Sequence, residues 1–216
     1  MLKADSIQLE YNGRKILQDI YLDCKVGEIT GLLGRNGSGK SSLLRIIFGT
    51  INLGHKHVSI DGHPISKGYL HHNIAYLPQH NYLPKAVPIN KIAPMLVDMN
   101  AWTEFNGYDI YQQHQHKTAY QLSGGELRKL ETLMILYSKA DYILLDEPFT
   151  HVSPIRADEI KQIMRLRLAT KGFIVTDHQY KNILEVSTKL VLLHNGITKL
   201  IKEREELITY GYLSSI

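Results

Sequence analysis

Between Ser6 and Cys24 apolar side chains occupy alternate positions: Ile7, Leu9 and Tyr11 before Asn12-Gly13, then Ile16, Ile20, Leu22 and Cys24 after it. A period of two broken by Asn-Gly predicts two half-buried strands joined in an antiparallel hairpin. The pattern then changes to short apolar runs, Ile29 to Leu33, Ile74 to Leu77, Tyr142 to Leu145 and Phe173 to Thr176, which read as buried strands of an α/β sheet. Between them, Ser42 to Phe48 reads as a helix with Gly49 as its C-cap, and Leu127, Leu130, Leu133, Met134 and Tyr137 mark a longer helix. Val58 to Gly62 reads as a strand closed by a turn, and Lys189 to His194 turns at Asn195-Gly196 into a second hairpin. His80 to Gln121 differs: Pro84, Pro88 and Pro94 punctuate large apolar residues such as Met95, Met99 and Trp102. It predicts a small, mainly helical lobe entered through a flexible hinge at Gln79 to Pro88. Its apolar residues serve either the lobe's own core or a partner-binding groove.

With 216 residues, 44% of them hydrophobic, the chain can bury one large core. No apolar run approaches the length of a membrane span, and Met1 to Asp5 has no signal-peptide character, so a soluble, cytosolic chain is expected. The net charge of +4 is dispersed without basic runs, which argues against nucleic acid as a partner. Paired histidines (His55 and His57, His71 and His72, His114 and His116) lack partners at metal-ligand spacing and read as solvated loop residues. The single cysteine, Cys24, falls in a strand pattern and reads as a buried thiol.

The chemistry concentrates in Gly34-Arg35-Asn36-Gly37-Ser38-Gly39-Lys40-Ser41, a G-x-x-x-x-G-K-[ST] loop between a strand and a helix. Its glycines let successive amides and a helix N-terminus face an anion, Lys40 reaches the phosphates, and the Ser41 hydroxyl serves a magnesium ion. Asp146 and Glu147 close an apolar strand, the first placed to hold the ion and the second to act on a water. His178 ends another strand and Gln79 follows a third, at the strand ends where α/β crevices form. Leu122-Ser123-Gly124-Gly125-Glu126 has the spacing of a capping box, with two glycines that leave the first helical turn open to an anion. Tyr11 at the hairpin turn offers a ring either to a base or to the local core.

Taken in order, these motifs resemble the ATP-binding subunit of ABC (ATP-binding cassette) transporters along nearly the whole chain. The resemblance implies a P-loop NTPase (RecA-like) α/β sheet core with an antiparallel β subdomain and an inserted helical lobe at about 80–135, all in one ABC ATPase domain over 1–216. It implies ATP and Mg²⁺ as cofactors. Catalytic roles fall to Glu147, His178, Lys40 and Gln79, and metal contacts to Ser41, Gln79 and Asp146. Nucleotide contacts fall to Tyr11, Gly34, Asn36, Gly37, Ser38, Gly39, Lys40, Ser41 and Ser42, with Ser123, Gly124 and Gly125 contributing from a second subunit. The implied partners are a second ABC ATPase, identical or related, and an integral membrane permease subunit, placing the chain on the inner face of the cell membrane. A soluble assembly ATPase, of the iron–sulfur type, or a nucleotide sensor would share these motifs. Two departures stand out: Ser153 occupies the place where the family usually has an aspartate seven residues after the first acid, and the lobe is short.

Overall fold

The computed structural model describes residues 1–53 and 56–214, so His55 of the first histidine pair lies outside the described residues. Strand β1 (Leu2–Tyr11) pairs antiparallel with β2 (Arg14–Cys24), and Asn12 and Gly13 turn between them at φ 49° and 76°, values that suit the twist of a two-residue hairpin. Strand β3 (Ile29–Leu33) runs into helix α1 (Lys40–Phe48), which ends at Gly49 with its N–H on Arg45 O. Strands β4 (His57–Ile60) and β5 (His63–Pro64) extend the antiparallel edge, and β6 (Ile74–Leu77) returns to the centre. Helices α2 (Ile89–Leu96), α3 (Trp102–Asn106) and α4 (Asp109–His114) form the lobe, and α5 (Gly124–Leu136) leads back to the sheet. There follow β7 (Tyr142–Asp146), α6 (Pro154–Arg167), β8 (Gly172–Thr176) and α7 (Tyr180–Val186). The chain closes with the hairpin β9 (Lys189–His194) and β10 (Ile197–Ile201) and a short α8 (Glu206–Thr209).

All these strands lie in one sheet, ordered β5-β4-β1-β2-β10-β9-β3-β8-β7-β6. From β9 to β6 it is parallel, because the helical crossovers return the chain to the same end each time. The antiparallel strands continue this sheet: Ile197 of β10 pairs in parallel with Asp19 of β2. Burial on both faces explains the unbroken apolar runs. In β7, Tyr142 and Leu144 face the core of α1 and the hairpin, while Ile143 and Leu145 face α5, α6 and α7. Each such fully buried side chain is worth roughly 1.5–3 kcal/mol, so strands of five residues hold without long ladders.

The lobe builds no separate core. Leu83, Ile89, Phe105 and Tyr111 join Leu130, Leu133 and Tyr137 of the α5 region in the cluster that also contains Ile143 and Phe173. The hinge expected at Gln79 to Pro88 is pinned near its middle: the Tyr82 and Leu83 amides donate to buried Glu131 Oε1 at 2.7 and 3.1 Å. Among the described residues, no helix is long and apolar enough to cross a membrane.

Candidate functional site

The carboxyl ends of β3, β8, β7 and β6 are neighbours in the sheet, so the loops leaving them converge. The loop after β3 approaches its surroundings closely: a Cβ on Gly34 would lie 2.7 Å from Ser38 Oγ and 2.8 Å from Leu193 O. Gly39, at φ 104°, caps α1 with no side-chain acceptor, and a Cβ there would meet Ile16 Cγ2 at 2.9 Å. The first amides of α1 are thereby left for a ligand. Lys40 Nζ donates to the loop carbonyls of Gly34 (2.7 Å) and Arg35 (3.1 Å). Burial pulls its pKa down, against Asp146 and Glu147, which raise it.

Ser41 Oγ donates to Asp146 Oδ1 at 3.0 Å, and Tyr76 Oη donates to Asp146 Oδ2 at 3.0 Å. Burial raises the Asp146 pKa, and these two hydrogen bonds oppose the shift. Ser41 and Gln79 line one cavity and the desolvated Asp146 carboxylate lies behind Ser41, a hard-oxygen donor set of the kind that fits Mg²⁺. Glu147 is 6% exposed and adopts φ 57°, outside the usual range for a residue with a side chain. Its Oε1 lies 2.7 Å from His178 Nε2, and His178 Nδ1 lies 3.0 Å from Asn36 Oδ1. Asp177, buried and raised in pKa by desolvation, accepts from the Phe149 and Gln179 amides, both at 2.9 Å, and ties the loops after β7 and β8 together.

A cavity of about 330 Å³ gathers Tyr11, Ile16, Gly37, Gly39, Lys40 to Ser42, Gln79 and Glu147. Tyr11 is half exposed on its rim. Asn36 and Ser38 lie instead on the neighbouring cavity, beside Arg35. Ser123, Gly124 and Gly125 do not line the Tyr11–Glu147 cavity. They start α5, where the Ser123 and Glu126 side chains form the expected capping box: Ser123 Oγ donates to Glu126 Oε2 at 2.6 Å and accepts from Glu126 N at 3.4 Å. Ser123 and Gly124 are exposed, whereas a Cβ on Gly125 would lie 2.9 Å from His151 O. Ser153 caps α6 by accepting from Arg156 N at 3.5 Å. Sequence reasoning missed Ile16, Tyr76, Asp177 and Arg128. Arg128 and Glu131, opposite charges three apart on an otherwise apolar helix face, were the available signal.

Residues 17–150 match the family model described as ABC transporter. The chain is similar to a probable ABC transporter ATP-binding protein of Azorhizobium caulinodans, 29% identical over 96% of this chain and 79% of the relative. It is 31% identical to the lipopolysaccharide export system ATP-binding protein LptB of Escherichia coli K12, over 90% of this chain and 87% of the relative. A solved ATP-binding subunit of an ABC transporter superposes with a TM-score of 0.84 at 18% identity, covering 97% of this chain and 93% of the other, and shares the fold.

Proposed function

The chain belongs to the ABC transporter family as an ATP-binding, ATP-hydrolysing subunit, and from that premise we propose that it drives a separate membrane-spanning partner through ATP-dependent pairing with a second ABC subunit. The observation that carries this reading is the position of Ser123 and Gly124. They lie exposed at a helix start and off the cavity that holds Lys40, Gln79 and Glu147, so one chain supplies a phosphate cradle without its cover. A facing subunit would bring these groups over the γ-phosphate and make ATP part of the interface.

In this reading Tyr11 stacks on the base. The amides of Gly34 to Ser41, with Asn36, Ser38 and Ser42, surround the phosphates, and Lys40 leaves its loop carbonyls to bind them. Ser41, Gln79 and Asp146 would hold Mg²⁺, which would supply positive charge to offset that of the phosphates. Glu147 takes the proton of the attacking water, and His178 exchanges its contact with Glu147 for the γ-phosphate. The membrane partner would enter the apolar groove of about 750 Å³ between Phe48, Tyr69 and Tyr76 on one side and Met95 and Met99 on the other. Met95 and Met99 are 80% and 69% exposed, and flexible thioethers suit a helix from another chain. In this reading the subunit sits at the cytoplasmic face of its membrane.

Affinity capture of tagged Glu147→Gln protein from its native cells, with ATP and Mg²⁺ present, tests the reading. A multi-span membrane protein recovered with ATP is the expected result. Soluble partners alone, under detergent conditions that preserve a known transporter, would replace it with an assembly ATPase.

A further inference from the structure

Two buried charges on α5 remain outside the chemistry described so far. Arg128 is 3% exposed and Glu131 fully buried. The Arg128 guanidinium spans three main-chain carbonyls, reaching Pro78 O through Nη1 at 2.7 Å, Asp146 O through Nη2 at 2.6 Å, and Glu147 O through Nη2 at 2.9 Å and Nε at 3.3 Å. One side chain thus grips the residue before Gln79 and both acids at the end of β7. Glu131 extends the grip: its Oε1 accepts the Tyr82 and Leu83 amides, while its Oε2 lies 3.8 Å from Arg128 Nη1.

Burying an ion pair is a poor way to stabilise a core, and a well-packed apolar pair would do as well. A forked, rigid donor is instead a good way to fix backbone positions. Fixing is needed here. Glu147 sits at φ 57°, a strained conformation that persists only where its surroundings hold it. Its amide is held by Thr176 O at 2.8 Å and its carbonyl by Arg128. Both charges stand one or two turns along the helix that starts at Ser123.

We propose that Arg128 and Glu131 are positioning residues that make α5, the Gln79 loop and the end of β7 a single mechanical body. Movement of the Ser123–Gly125 motif against a facing subunit then shifts Glu147 and Gln79 together. The inference rests on the roles proposed above for Glu147 and Gln79.

Arg128→Lys keeps the buried charge opposite Glu131 but loses the fork. Its expected effect is a fall in kcat of about 10–100-fold, the scale of a misplaced catalytic group, with ATP affinity within about twofold of wild type. Amide hydrogen exchange supplies the second readout: Tyr82 and Leu83 should exchange faster in Arg128→Lys and in Glu131→Gln, with the β1–β2 hairpin unchanged. Wild-type kcat in Arg128→Lys, an equal loss of kcat and ATP affinity, or faster exchange throughout the protein would each overturn the proposal. Glu147→Gln, assayed alongside, separates the premises. If it retains turnover, the role of Glu147 fails, and the exchange data still decide whether α5 and the loop are coupled.

Discussion

At the scale of single residues, the site depends on side chains held by more than one partner. Glu147 meets His178 through one oxygen and receives a 3.4 Å hydrogen bond from Thr150 Oγ1 on the other. Glu147→Gln should therefore keep the shape of the site and ATP binding while lowering kcat by about 10²–10⁴-fold, the usual contribution of a general base; equilibrium binding and steady-state hydrolysis check the two halves. Cys24 makes a second prediction. It packs at 3.4 Å from Phe173 O, and burial pushes its pKa up to about 12. A maleimide at pH 8 should leave it unmodified in the native protein and label it once denaturant unfolds the chain. Motif spacing picked out Lys40, and the ends of apolar strands picked out Asp146, Glu147 and His178 as candidates. Tyr76 was not, because a tyrosine within an apolar strand gives no sign that its hydroxyl reaches a carboxylate 70 residues away.

At the scale of elements, Ser153 exchanges a familiar charge for a helix cap, with Pro154 following it as the first residue of α6. Ser153→Ala should cost about 1 kcal/mol and lower Tm by roughly 2–4 °C, whereas Ser153→Asp should stay near wild type because aspartate caps as well; thermal unfolding distinguishes them. Lys171 braces the turn between α5 and β7, donating to Ser138 O at 2.7 Å and Ala140 O at 2.6 Å. Burial lowers its pKa to about 8 from 10.5. Between those values the unfolded chain binds the proton that the folded chain has released, so this residue's contribution to stability should rise with pH from about 8 to 10.5. Denaturant titrations of wild type and Lys171→Met across that range should diverge in this sense; a constant difference would contradict it. The hairpins, the capping box and the strands other than β5 were visible as periodicity and turn residues, although β1 begins at Leu2, before the alternation read from Ser6. The pinned hinge was not, since Pro84 and Pro88 announce a loop while its anchor, Glu131, lies 48 residues beyond Leu83.

At the scale of the whole molecule, sheet order does the assembling. β3, β8, β7 and β6 stand side by side although they come from distant parts of the chain, and their ends bring Lys40, His178, Asp146 and Gln79 to one place. Motif order let the family be read before the topology was known, but the sewing of β10 to β2 and the fold-back of the tail had no local signature. That tail reaches the phosphate loop itself, where Arg35 Nη2 donates to Gly211 O at 2.8 Å. The same architecture leaves Ser123 and Gly124 exposed and off the Tyr11–Glu147 cavity, and the pairing proposed above is argued from that geometry. Light scattering of purified Glu147→Gln protein, alone and mixed with any ABC chain that copurifies with it, tests this most directly. ATP with Mg²⁺ should raise the mass from 24.7 kDa toward that of a pair, and ADP should not. A mass that stays at one chain both alone and in the mixture, with ATP fully bound, would contradict it.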